Sequence, residues 1–394
     1  MVVSNSSPAI STHLITEGGP AHTLLTRLRL VALGRRSHAF RIAIILSLAT
    51  WLPLVVLAFS AGLLTGGTKI PLLYDFAPHV RFLFALPILI LAEIPVATRI
   101  HKAVSHFFTS GLVAPEDEGS FVALIESTIR FRDSPIATVV LLLLLAGLEE
   151  LLLTKQAAMS VGTWIMPVAG GPFSGAGYWY VCFAVPVYQF LVLRWGFRIV
   201  VWGRFLSGLA KMKLRLTPIH PDSAGGILFL GRTIAPFGIV GLAITSAFAA
   251  SIATRVLYAG ENIYAEMPVY ALLVAILLII SLGPILFFAP KLFDLKNHGI
   301  RQYGTLGTTY TLDFHARWIA HENPEHEPLL GTGDIQSLAD LFNSYQIIKT
   351  MKFVPVMRSD LIAAVAPTLL PAIPLAATVV PLDQMLHLLM RVFS

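Results

Sequence analysis

The sequence predicts an all-α integral membrane protein of about seven transmembrane helices, on three observations. Long apolar runs recur along the chain, charged residues make up only 13% of it, and the basic ones gather in alternate connections. Hydrophobic residues reach 56% and the mean hydropathy is +0.75, more apolar than a soluble domain. The 394 residues are largely used up by spans and their connections. One helical membrane domain, 41–394, is therefore expected behind a flexible basic N-terminal segment, 1–40. Residues 1–25 hold Ser, Thr, Gly and Pro with Glu17 as the only acid and no Lys or Arg, unlike a cleaved signal.

The apolar runs fall at 42–65, 82–100, 136–154, 177–195, 226–254, 268–289 and 361–381. Arg27, Arg29, Arg35, Arg36 and Arg41 precede the first, while the next connection carries only Lys69 and Arg81, which places the N-terminus in the cytoplasm. The second run contains Glu93 between Pro87 and Pro95 and leads to the loop 101–134, where a helix is expected near Phe121–Arg130. Glu149 and Glu150 close the third run at its outer end, where solvation is the default expectation. The fourth holds Cys182 and Pro186 and passes into Arg194, Arg198, Arg204, Lys211, Lys213 and Arg215 on the inner side.

The fifth run begins at His220–Gly226, HPDSAGG, and contains Arg232 and Pro236. Its row Gly231, Ala235, Ala243, Ala247 and Ser251, with Ile239 the only large member, invites close packing against another helix. Pro284 interrupts the sixth run, which continues into the loop 290–360; there Asp334 is expected to cap a helix near Ile335–Lys349. Pro367, Pro371, Pro374 and Pro381 break the last run into a kinked span or a re-entrant hairpin, followed by a short interfacial helix.

The charge of +6 is spread through loops beside apolar spans, so it reads as topology and contact with anionic lipid rather than nucleic-acid binding. A lone Cys182 can form neither an internal disulfide nor a cysteine metal cluster, and reads as a small buried hydrophobe. His315, His321, Glu322, Glu325, His326 and Glu327 are the right residue types for a divalent cation, but lack zinc-signature spacing, so no metal site is assigned. His101, His106, His298 and His315 could make the inner face respond to mild acid. No Walker motif, GxSxG, dinucleotide fingerprint or haem attachment motif occurs, and no cofactor is implied.

Two places carry candidate function. Glu93 and Arg232 are ionisable groups inside spans, each about 9–10 Å from the inner end at 1.5 Å per residue, and are expected to pair. The alternative is that Arg232 snorkels to headgroups while Glu93 is protonated or bonded to a hydroxyl. At the fifth span, Asp222 or Ser223 can cap the helix start, and Gly225 and Gly226 allow close approach of backbone or headgroup. Amides left free there, with Lys213, Arg215 and Arg232 nearby, could hold an anion. The polar seam is thus expected at Glu93, Arg232, His220, Asp222, Gly225 and Gly226. His-Pro-Asp also occurs in J-domain co-chaperones, but here an apolar span follows at once and the analogy fails.

HPDSAGG, LLGTGDIQSLADLFNSYQIIKTMKFVP and PLDQMLHLLMRVF together make the C-terminal half resemble a group of uncharacterised bacterial polytopic inner-membrane proteins with an HPDxAGG motif. The resemblance implies a multi-pass protein of the bacterial inner membrane and supplies no activity or site residue. The sequence therefore favours transport or permeation of a small solute or ion, non-enzymatic, with membrane lipids and a second copy of the chain as expected partners. Its alternatives are an interaction or sensory module binding a cytoplasmic protein through 290–360, and a membrane-embedded enzyme acting on lipid phosphate.

Overall fold

A computed structural model describes residues 36–157, 162–320, 329 and 332–376. The N-terminal segment up to Arg35 and the C-terminal interfacial helix lie outside them. Among the described residues the regular structure is helical, and the connecting turns carry two isolated bridges, Ile70 with Thr163 and Val113 with Leu214.

Five helices are long and apolar enough to cross a membrane: His38–Ser60, Phe76–Thr109, Gly175–Lys211, Leu228–Ala259 and Ile263–Leu286. A sixth candidate is the pair Pro115–Arg132 and Pro135–Glu150, bent by 42°. We label α1 Arg36–Ser60, α2 Phe76–Thr109, α3 Glu118–Arg132, α4 Pro135–Ala157, α5 Gly175–Lys211, α6 Leu228–Ala259 and α7 Ile263–Leu286. Beyond them lie α8 Ala289–Phe314, α9 Asp334–Lys349, α10 Arg358–Leu369 and α11 Ala372–Ala376.

Five to six candidate spans stand against the seven expected. Among the described residues the difference lies in two runs: 136–154, which counts only as part of the bent pair, and 361–381, which is divided between α10 and α11, with 377–381 outside them. Proline accounts for the division. Pro371 falls in the gap, and each proline removes a backbone donor that a continuous helix would need.

Prolines elsewhere are absorbed without breaking a span. In α2 a wide π-turn, Val80–Ala85, comes just before Pro87, and in α5 another, Tyr180–Ala184, comes just before Pro186. The wider turn gives the ring room against the preceding carbonyls. Within the α5 turn Tyr180, Val181 and Ala184 face inward, which leaves Cys182 exposed on the surface of the bundle. The reading of Cys182 as a buried small hydrophobe is therefore corrected.

At the centre is α6, with 67% of its most apolar stretch buried against 22–39% in the other four spans. It packs against α2, α7 and α10. Small residues make this approach possible: Ala243 and Ala247 are buried, and side chains at Gly231 and Gly238 would meet backbone of the Pro355–Ala364 stretch within 3 Å. The small-residue face is thus used inside the chain.

Asp75 ties one end of the bundle together. Its carboxylate accepts from the Ala77 amide at 3.0 Å, Thr254 Oγ1 at 3.1 Å and the indole of buried Trp164 at 2.9 Å. These bonds join the start of α2 to the end of α6 and to the segment before α5. At the other end, Lys291 of α8 donates to the carbonyls of Ala210, at 3.2 Å, and Met212, closing the last turn of α5. Burial holds the Lys291 ammonium below the usual lysine range.

Asp334 does not cap α9. Gly333 stands at that position, and the Asp334 carboxylate instead accepts from the Trp318 indole at 2.8 Å, with Arg317 at 3.6 Å. The carbonyl of Asp334 takes the Tyr310 hydroxyl at 3.1 Å. The residue thus links α9 to the end of α8.

Candidate functional site

The loop before α6 is built around one side chain. Asp222 Oδ1 accepts from the amides of Ala224 at 2.8 Å and Gly226 at 3.1 Å, and Oδ2 accepts from Leu228 at 3.1 Å. Three amides converge because the backbone turns through the left-handed region, with φ of +54° at Ser223, +68° at Gly225 and +97° at Gly226. Two of these positions are glycine, which tolerates that region at little steric cost. His220 Nδ1 lies 2.8 Å from Asp222 Oδ1. Partial burial pushes the Asp222 carboxyl upward, but the bonds from Ala224, Leu228, Gly226 and His220 outweigh it and hold the group below the usual aspartate range.

Ile227, not Asp222 or Ser223, stands at the cap position of α6, but the Asp222 carboxylate takes the Leu228 amide that opens it together with two loop amides, and this changes the anion reading. The amides of Ala224, Gly226 and Leu228 are occupied by the protein's own carboxylate. An external anion at this loop would have to be held by side chains.

Those side chains are close by. Arg99, Lys102 and His106 lie along one face of α2, at i, i+3 and i+7, and border a cavity of about 400 Å³ together with His220, Asp222 and Arg232. The heads of Arg99, Lys102 and Arg232 are exposed to it. Its floor includes Phe229, whose ring meets His106 edge-on at 4.4 Å. Three cationic side chains and two imidazoles thus border the cavity with one carboxylate that is already bound.

Arg232 reaches this cavity because the chain has not yet formed a regular α-helix there. Leu228–Thr233 is a tight 3-10 turn, and the α-helix begins only at Phe237, one residue after Pro236. The position two turns inside a helix expected for Arg232 becomes a position at its mouth.

Glu93 sits on a different face of α2 from Arg99 and is met from α5. Its Oε1 lies 2.6 Å from Arg194 Nη1 and its Oε2 3.2 Å from Arg198 Nη2. The Arg198 guanidinium also lies over the Trp195 ring at 5.0 Å, and the Trp195 indole donates to the Leu89 carbonyl at 3.0 Å, beside the irregular turn at Ala92. Of the six expected seam residues, the cavity gathers His220, Asp222, Gly226 and Arg232. Gly225 packs instead against Leu292 and Leu295 of α8, and Glu93 forms its own ionic cluster with α5.

A third polar group escaped the sequence reading. Arg81 is half-buried in α2, donates to the Tyr180 hydroxyl, lies over the Tyr188 ring at 5.5 Å and reaches Ser251 Oγ at 3.5 Å. Glu149 lies within electrostatic reach of it, with both carboxylate oxygens buried and no hydrogen-bond partner among the described residues. The solvated Glu149 expected at an outer helix end is thus turned inward.

Of the histidine- and carboxylate-rich segment, only His315 lies among the described residues. Comparison of the chain with family models, with curated proteins and with solved structures finds no match.

Proposed function

We propose that the chain is a multi-pass transporter or channel of the bacterial inner membrane, and that its solute is a small anion. The cavity beside the HPDSAGG loop carries this reading: Arg99, Lys102 and Arg232 face about 400 Å³ in which the lone carboxylate, Asp222, is spent on backbone amides. Cations without matching carboxylates at the mouth of a membrane bundle attract anions, and the low-dielectric walls strengthen that field. The volume suits a phosphate or a small carboxylate. Basic residues crowd this end of the bundle, so on the positive-inside expectation the cavity opens to the cytoplasm, with the N-terminus on the same side. The Glu93–Arg194–Arg198 cluster and Arg81 continue the polar groups through the bundle, each held by partners from another span.

The test is efflux of chloride, phosphate and small carboxylates from proteoliposomes containing the full chain. Arg232→Gln and Lys102→Gln are each expected to slow efflux by about 10-fold or more, the loss of one charge-assisted contact. Anion efflux no faster than from empty liposomes, or unaffected by either substitution, would overturn the proposal.

A second reading rests on α8 and α9, which pack together yet leave Leu306, Leu312, Ile335 and Phe342 exposed. It is an interaction module whose 290–360 segment binds a cytoplasmic protein. Retention of a soluble partner lost on Phe342→Glu, with no anion flux, would favour it.

A further inference from the structure

A second cavity, of about 660 Å³, lies between the spans. Its walls include Val140 and Leu144 of α4, Gly196 and Val200 of α5, Ile244 of α6 and Leu277 of α7. The hydroxyls that border it each bond within the chain. Ser281 Oγ donates to the Leu277 carbonyl at 2.7 Å, Thr368 Oγ1 to the Ala364 carbonyl at 2.9 Å, and Ser134 Oγ accepts the Ile136 amide at 3.3 Å. No charged side chain lines it and it shares no lining residue with the anion site, so the cavity is independent of that site.

One end of this cavity is basic. Phe131 and Phe197 border it with ring centroids 5.9 Å apart, and the Arg204 guanidinium lies 4.9 Å over the Phe131 ring. Arg204 is exposed, its hydrogen bond goes to Ser127 Oγ at 3.4 Å, and it meets no carboxylate among the described residues. An apolar void at bilayer depth, ending at an uncompensated arginine, matches a molecule with a long apolar chain and an anionic head. An empty void would forfeit the dispersion contacts of its lining, and lipid is the solvent that can reach it.

We propose that this cavity holds an acyl chain of an anionic phospholipid, with the headgroup phosphate on Arg204. The position of Gly196 makes a direct test available. A Cβ built there meets no heavy atom within 4 Å and the residue lines the cavity, so Gly196→Phe places a ring from open space at the cavity wall.

The full chain is reconstituted in bilayers of phosphatidylglycerol and phosphatidylcholine in equal parts, extracted mildly, and its retained lipid counted by native mass spectrometry. The wild type is expected to keep phosphatidylglycerol over phosphatidylcholine by about fivefold, the attraction of one basic residue near the headgroups. Gly196→Phe should lose the retained lipid, while Arg204→Gln keeps a lipid but loses the headgroup preference. Should Gly196→Phe not fold, the Arg204→Gln ratio tests the proposal alone. Wild-type protein that retains no lipid, shows no headgroup preference, or forms a dimer that Gly196→Phe dissolves would overturn it, the last assigning the cavity to a second copy of the chain.

Discussion

Asp222 is the acceptor for three amides in the loop leading into α6, so removing its carboxylate leaves those donors without their partner. Asp222→Ala is expected to destabilise the chain by about 1.5–3 kcal/mol, the scale of hydrogen bonds to a charged group, and Asp222→Asn by less. Because the folded state holds this carboxyl below its ordinary value, its contribution is fully present above about pH 3.9. It is lost as pH falls below that value and through the lower folded one. Thermal unfolding in detergent across the acid range should therefore show wild type and Asp222→Ala converging at low pH; a gap independent of pH would sink the assignment. That Asp222 serves amides near the helix start was legible because it is local: an aspartate two to six residues before the amides it serves can be read from spacing, although the cap position itself falls at Ile227. The partner of Glu93 was not, because any of several arginines can reach a given depth. Which one arrives depends on how α2 and α5 rotate against each other, and Arg194 and Arg198 were read as topology signals alone.

The contacts of α6 decide how its glycines respond to substitution. At Gly238 a side chain would meet the Ala363 and Ala364 carbonyls within 3 Å, and at Gly241 it would run into Thr368. Gly307 in α8 faces open space. Gly238→Leu is thus expected to cost about 1–3 kcal/mol by overpacking against α10. Gly307→Ala should stabilise by about 0.5–1 kcal/mol, because alanine loses less backbone entropy in a helix. Melting temperatures of the two variants, moving in opposite directions, would check both, and a neutral Gly238→Leu would mean that α10 does not pack as described. Small residues at spacing four predicted that α6 packs closely, and it does. The cluster against α10 also uses Gly238 and Gly241, which lie off the Gly231–Ser251 row, because Pro236 and the 3-10 turn reset the helical register before Phe237. Helices expected near Phe121–Arg130 and Ile335–Lys349 form as Glu118–Arg132 and Asp334–Lys349, since apolar periodicity acts locally. The inner end of α2 was cut short at residue 100, since polar residues end an apolar run without ending a helix. That cut hid the Arg99, Lys102 and His106 face.

For the whole chain, the two isolated bridges sort the connections by end. Ile70 pairs with Thr163, joining the segment after α1 to the one before α5, and Val113 pairs with Leu214, joining the segment after α2 to the one after α5. Since α4 leads from the α3 end to the Thr163 end, its 23 residues have to cover the depth that α5 covers in return. At 1.5 Å per residue they extend about 35 Å, enough for the hydrocarbon core. The ends differ in charge. One carries Arg99, Lys102, Lys211, Lys213, Arg215 and Lys291, while at the other Arg255 is paired with Glu261, at 2.8 Å, and Glu266, at 2.7 Å. The positive-inside rule then predicts that Lys213 faces the cytoplasm and Glu261 the opposite side. In a Cys182→Ala background, a membrane-impermeant maleimide should label Glu261→Cys on intact spheroplasts, and label Lys213→Cys only after the membrane is opened. Labelling of both positions on intact cells would place the two bridged ends on one side and rule out α4 and α5 as full crossings. Labelling of Lys213→Cys alone would invert the chain and turn the cationic cavity outward.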